Sequence, residues 1–348
     1  MSRRNGTMPV CLGAGFVALD VIRSEESVHS ESRYAGGSCG NVMIMLSFLG
    51  WESTPVARIG LDRPGNQLVR DLERWSVNTR LLMREEAPTP VIFQRIFSDQ
   101  RGHPQHRFSR QCFLCGQWAA SYRPVRLRDT ASLAEELPTP SVFYFDRVAP
   151  GNLELARRAR GEGALVVFEP SSTKDPRLFR DCLSVAHVFK YSHERFDALS
   201  AEVTDARVPL VIETRGELGL LVTFGGSGKQ VELPAVVAPR LRDAAGSGDW
   251  CTAGLINGFI TSNGRAQDVD DQDLIVPSLR HGQALAALNC AYEGARGAMY
   301  VMGRNELLER AAELAAGRVV ALPNQVEPES VADSLDRGAE CILCARPL

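Results

Sequence analysis

Arg242-Asp243-Ala244-Ala245-Gly246-Ser247-Gly248-Asp249-Trp250-Cys251-Thr252-Ala253-Gly254, continuing into an apolar run through Phe259, is the stretch on which the reading of this 348-residue chain turns. Small residues at 244–248 let successive backbone amides face one point, and Asp249 falls in the first turn of the helix that the apolar run predicts. Unpaired amides and the helix dipole both favour negative charge at such a turn, so it reads as an anion cradle. A carboxylate is out of place beside a cradle that only holds phosphate. It makes sense where it takes a proton from an attacking hydroxyl while the amides stabilise a transferred phosphoryl group. A structural reading stands beside this one: Asp249 caps the helix and the glycines make a plain turn.

Upstream, strands and helices alternate. Val10 to Val17 reads as a buried first strand, and Asn41 to Leu49 as a buried helix, apolar nearly all round. Pro55 to Ile59 is strand-like, and Gly65 to Trp75 places Leu68, Leu72 and Trp75 at helical spacing. Ser141 to Phe145 precedes a helix over Asn152 to Arg160, and Ala164 to Phe168 precedes one over Arg177 to Leu183. Pro209 to Glu213 leads into Gly219 to Phe224 as a hairpin, and a last helix is expected over Asn305 to Ala316. This order predicts an α/β fold with a mostly parallel sheet covered on both faces. Val91, Phe93, Arg95 and Phe97 alternate, and with Arg107 to Phe113 they are expected to form a hairpin projecting from that sheet.

With 44% apolar and 23% charged residues the composition is that of a globular protein, which disfavours disorder or a coiled-coil rod. The 39 basic and 42 acidic residues leave a net charge of −3 with no long run of either sign, so a nucleic-acid or anionic-membrane partner is not expected. The apolar stretches near Pro9 to Ile22 and Asn41 to Leu49 are too short to span a bilayer. Ser2-Arg3-Arg4 and the apolar residues from Cys11 to Leu19 imitate a secretion signal, but Asp20 closes the run and no small-residue cleavage site follows. An odd count of nine cysteines also fits a reducing cytoplasm better than a disulfide framework. Gly13-Ala14-Gly15 lacks the third glycine of a dinucleotide fingerprint. Gly225-Gly226-Ser227-Gly228-Lys229-Gln230 has Thr223 and Gln230 where a phosphate-binding loop needs Gly and Ser or Thr, so it reads as a hairpin turn.

Asp243 to Gly254 resembles the C-terminal signature of the ribokinase-like carbohydrate kinases, the phosphofructokinase B family: Asp-Thr-x-Gly-Ala-Gly-Asp, with Ser247 in place of the alanine. Gly36-Gly37-Ser38-Cys39-Gly40-Asn41, Gly60-Leu61-Asp62-Arg63-Pro64-Gly65 and Val77-Asn78-Thr79 match the N-terminal signature in order and spacing. The resemblance runs from about Val10 to about Met302. It implies a ribokinase-like three-layer α/β/α sandwich over 1–320, with a small β-rich lid from segments at about 22–36 and 88–115, and a C-terminal extension over 321–348. It also implies an ATP-dependent kinase that passes the γ-phosphate to a hydroxyl, a primary alcohol on a sugar or sugar-like metabolite. In that site Asp249 would be the base and the amides of Gly246, Ser247 and Gly248 the anion hole. Asp20, Gly36, Gly37 and Asn41 would hold the sugar, Thr214 and Gly216 would approach the ATP phosphates, and Asn289 would line the adenine pocket. Asp243 would organise the anion hole and a nearby monovalent-cation (K+) site. Mg2+ would accompany ATP, and a homodimer through the projecting sheet is expected.

Two departures stand out. Where the family has Asn-x-x-Glu to orient Mg2+, this chain has Ser192-His193-Glu194-Arg195, so either Glu194 takes the role or the ion depends on ATP oxygens. Where many members have Asp-x-Asn, it has Glu169-Pro170-Ser171. A nucleoside kinase of the same family and a sugar-binding regulator that has lost efficient transfer are the alternative readings. Asp146 and Arg147 are candidates for substrate selection.

Cys112-Phe-Leu-Cys115 and Cys341-Ile-Leu-Cys344 are each a Cys-x-x-Cys knuckle, and together they supply the four sulfurs of a structural zinc site. More than 200 residues separate them, so the site requires the tail to fold back; unpaired thiols and a redox pair are the other readings. His103 and His106 read as solvated.

Overall fold

The computed structural model describes residues 8–24, 31–98, 104–172, 175–196, 203, 206–323 and 341–344. At the centre, β1 (Val10–Ala14) pairs in parallel with β4 (Glu52–Gly60) on one side and β8 (Val142–Phe145) on the other. Beyond β4 lies β5 (Leu82–Glu85). Beyond β8 come β9 (Leu165–Phe168), β10 (Val188–Ser192) and β11 (Leu210–Thr214), all parallel, then the antiparallel β12 (Leu220–Phe224) and β13 (Gln230–Leu233). Among the described residues the sheet has nine strands, in the order β13-β12-β11-β10-β9-β8-β1-β4-β5.

Its strands read as continuous apolar runs because both faces are covered. Leu12, Phe143, Phe145, Val166 and Phe168 enter one core, packed by α3 (Thr130–Glu136), α4 (Pro150–Gly161) and α5 (Pro176–Val185). Cys11, Val142, Tyr144, Leu165 and Val167 enter the other, packed by α1 (Ser38–Phe48), α2 (Arg63–Arg74), α6 (Ser247–Thr261), α7 (Gln272–Asn289) and α8 (Arg304–Ala315). Helix α1 is buried from Cys39 to Leu46, as its all-round apolarity requires. Helix α2 starts where Asp62 accepts the Gly65 amide, and it buries Leu68 and Leu72. Helix α7 was not expected from the sequence, since Pro277 interrupts its pattern. Among the described residues no helix is long and apolar enough to cross a membrane.

A second sheet stands over the carboxyl ends of β1 and its neighbours. It is formed by β2 (Ala18–Ser24), β3 (Ser32–Gly36), β6 (Val91–Ser98) and β7 (Pro104–Ser109) in the order β3-β2-β6-β7. The strand expected over 10–17 therefore ends at Ala14, and the chain resumes as the separate strand β2 at Ala18. The break comes where Asp146 Oδ1 takes the Phe16 amide at 2.8 Å and where a side chain at Gly15 would collide with that carboxylate. The projecting hairpin is present, but its second arm is 104–109 rather than 107–113, because the chain leaves the sheet and turns back through Cys112–Gly116. His103, and residues 324–340 and 345–348 of the expected extension, lie outside the described residues.

Candidate active site

The glycine-rich stretch forms the turn that opens α6. Gly246 precedes α6 in the left-handed region (φ 73°), and a Cβ there would lie 2.4 Å from the Ala295 carbonyl oxygen. The turn is held by Asp243, fully buried: its Oδ1 accepts the Ala245 amide and its Oδ2 the Gly294 amide, both at 2.7 Å. Ser247 N makes a long 3.3 Å bond to Ala244 O, whereas the amides of Gly246 and Gly248 have no partner among the described residues. Those two open donors at a helix N-terminus are the feature a phosphate needs. Asn289, also fully buried, braces the same turn, donating to Ala245 O and Gly294 O and accepting from the Ala298 amide.

Asp249 stands in the first turn of α6, and Asn41 Nδ2 donates to its Oδ2 at 2.8 Å. Burial, reinforced by the charge of Glu169, pushes the Asp249 carboxyl up to about 7, against the opposing pull of the Asn41 hydrogen bond and Lys190. Beneath the turn, the buried Lys190 ammonium pairs with Glu169 and donates to Gly248 O at 3.2 Å. Thr252 Oγ1 donates to Glu169 Oε2 at 2.6 Å. Burial alone would pull Lys190 down, but the Glu169 carboxylate holds it above its ordinary value. Glu169, one of the departures from the family pattern, thus helps to fix the carbonyl of Gly248.

On the lid side, Asp20 belongs to β2 and accepts the Gly37 amide. Burial pushes its carboxyl up to about 7 despite Arg296 nearby. Gly36 has to be glycine, since a Cβ there would fall 1.9 Å from Asp20 Oδ2. Gly37, at φ 78°, opens α1 and so sets the position of Asn41. Arg296 is 3% exposed and pairs with Asp71 at 3.1 Å, while Asp71 also takes the Ala35 amide at 2.7 Å. Asp146 joins the Phe16 and Cys39 amides and pairs with Arg147 at 3.1 Å, so it holds the first turn against α1.

Thr214 ends β11, with its hydroxyl donating to Tyr191 O at 3.3 Å, and Gly216 follows at φ 56°. Ser192 is in register with Thr214 across the sheet, and Glu194 is exposed on the turn after it. His106 departs from expectation. Rather than being solvated, it reaches down from β7, with Nδ1 2.6 Å from Gln94 Nε2 and Nε2 2.8 Å from Asp243 Oδ1, off the line of a good hydrogen bond. Of the cysteines, Cys112, Cys115 and Cys341 come together.

No protein-family profile matches the chain. It is 26% identical over 275 residues to a nucleoside kinase of Methanocaldococcus jannaschii, covering 73% of this chain and 85% of that one. It is 24% identical over 305 residues to a fructokinase of Escherichia coli, covering 79% and 90%. The crystal structure of fructokinase with bound ATP from Xylella fastidiosa superposes with a TM-score of 0.67 at 20% identity, over 88% of this chain and 98% of that one. The fold is that of the ribokinase-like kinases.

Within this ribokinase-like fold the structure brings Asp249, Asn41 and the amides of Gly246 and Gly248 to one place, with Asp20 on the lid side. Sequence reasoning missed Asp71, Arg296 and Lys190. Asp71 had a signal: it sits between Leu68 and Leu72 on the apolar face of α2, where an acid needs a buried partner. Arg296 and Lys190 had no comparable signal, because their acidic partners lie far away in the chain.

Proposed function

We propose that the protein is an ATP-dependent kinase that phosphorylates a hydroxyl group of a sugar or sugar-like metabolite. The supporting observation is the 2.8 Å hydrogen bond from Asn41 to Asp249 beside the open amides of Gly246 and Gly248, which joins a hydroxyl-binding side to a phosphate-binding side. Asp249 takes the proton of the acceptor hydroxyl, its oxygen attacks the γ-phosphorus in line, and ADP leaves. The amides at 246–248 meet the charge that develops on the phosphoryl oxygens. A base whose carboxyl sits near 7 is matched to work at neutral pH. Asp20 and Asn41 orient the acceptor, and Thr214 and Gly216 lie at the strand end where the ATP chain would run.

Mg2+ carried by ATP supplies charge neutralisation. Glu169 is already engaged by Lys190 and Thr252, so either the exposed Glu194 would meet the ion or the ion would depend on ATP oxygens. A monovalent cation beside Asp243 belongs to the same reading, and rates in K+ against a bulky organic cation test it. So does a homodimer joined through the lid edge, where Phe108 and Trp118 are 62% and 66% exposed; light scattering tests that. A cytoplasmic location is also part of this reading.

The deciding experiment measures ADP release from ATP with a panel of hexoses, pentoses and nucleosides. Acceptor-dependent release with a sugar supports the proposal, preference for a nucleoside moves the assignment to the nucleoside kinases, and no release with any acceptor rejects it.

A further inference from the structure

The first Cys-x-x-Cys follows the lid strand β7 and the second belongs to the described segment 341–344. Cys341 Sγ lies 3.5 Å from both Cys112 Sγ and Cys115 Sγ, and the three sulfurs are all within 4.8 Å of one another. Cys344 lies outside that group of three but is in side-chain contact with Cys115. A tetrahedral zinc with sulfurs at about 2.3 Å would hold them about 3.8 Å apart, close to the spacing found, whereas a disulfide needs about 2.05 Å. The first knuckle is also shaped for thiolates. Gly116 turns at φ 71°, the amides of Leu114 and Cys115 point at Cys112 Sγ, and the Gln117 amide points at Cys115 Sγ.

We propose that Cys112, Cys115, Cys341 and Cys344 hold a structural zinc ion that clasps the C-terminal segment to the root of the lid. Four thiolates fill a tetrahedral site and leave no position for chemistry, so the ion works by fastening. On one side of the clasp, Cys341 and Ile342 are buried in the core under the lid. On the other, the Phe113 ring packs edge-on against Phe93 of β6 at 5.4 Å, with the Arg95 guanidinium 5.1 Å from its centre. The metal therefore ties the segment 341–344 to the sheet that carries Asp20. The metal site stands independently of the kinase reading; its effect on acceptor binding rests on that reading.

The test starts with the full chain, purified without chelators or metal-affinity steps, and metal analysis by mass spectrometry. About one zinc per chain is expected. Less than about a tenth of an equivalent, or iron in its place, overturns the assignment. The double variant Cys341→Ser/Cys344→Ser is expected to lose the zinc, melt at lower temperature and raise the acceptor KM while leaving kcat nearly unchanged; retention of a full zinc equivalent contradicts the ligand set. Should that variant not fold, cobalt(II) exchanged into the wild-type protein gives a second readout. Intense sulfur-to-cobalt bands of a tetrahedral thiolate site support the proposal, and their absence rejects it. Zinc in a protein without kinase activity would leave the clasp standing and remove the kinase reading, and an active protein without zinc would do the reverse.

Discussion

The two walls of the candidate site are built from different materials. The wall proposed to meet phosphate is main chain: one continuous turn from Asp243 to Asp249, with its open amides set by the left-handed Gly246 and by backbone bonds to Asp243 and Asn289. The wall proposed to meet the acceptor is side chain: Asp20, Asn41, Asp71 and Arg296, drawn from β2, α1, α2 and the loop before α8, and held by buried charges and hydrogen bonds. A main-chain wall depends on backbone shape and tolerates changes of side chain. A wall of buried charges depends on partners held in good geometry and does not tolerate the loss of one of them. Asp249 stands where the two meet, and both tune it.

The largest expected effect lies at that junction. Asp249→Asn keeps the shape and removes the proton acceptor, so turnover falls by about 10²–10⁴ while ATP affinity, measured by calorimetry, is retained. Gly246→Ala tests the main-chain wall alone: a left-handed alanine costs about 1–2 kcal/mol and would also push on Ala295, so turnover falls about tenfold or more with the charges untouched. Arg296→Met tests the side-chain wall. It strands Asp71 and is expected to cost about 3 kcal/mol of stability in denaturant titration, whereas a cost near zero would mean that wall is not held by charge. Asn41→Ala removes a charge-assisted hydrogen bond of about 1.5–3 kcal/mol. Because that bond holds the Asp249 carboxyl down, its loss moves the pH midpoint of kcat/KM upward. The smallest effect is expected for His106→Ala, which severs a partly exposed lid contact to Asp243 and changes the acceptor KM about fivefold or less.

Stability should follow pH with a definite sign. The folded Asp20 and Asp249 carboxyls hold their protons up to about 7, well above the unfolded value near 4, so the folded state binds more protons between those limits. Their contribution therefore favours folding most at the acid end and falls as pH rises through 7. Thermal melts between pH 5 and 8 should show a decline that Asp249→Asn reduces.

The same contrast explains how much could be read before the fold was known. The phosphate wall is local, so Gly246, Gly248 and Asp249 announce themselves by spacing, and the strand-helix alternation announces the sandwich. The acceptor wall is assembled from distant pieces. Asn41 and Asp20 were found through the resemblance, but Arg296 and Lys190 look like ordinary surface cations until Asp71 and Glu169 are placed against them. His106 was misjudged because a polar lid segment reads as solvated, and only the folded lid carries it down to a buried carboxylate. The break of the first strand at Ala14 escaped for a similar reason, since the group that turns the chain there, Asp146, lies on a different strand end.

The most direct test of Asp249 as the base is the pH dependence of phosphoryl transfer in single turnovers, wild type beside Asp249→Asn. The expected result is a wild-type rate that rises with pH through a midpoint near 7, and a variant that is slow and flat over the same range although it binds ATP equally well. A variant that keeps the wild-type rate and the same rising limb would contradict it.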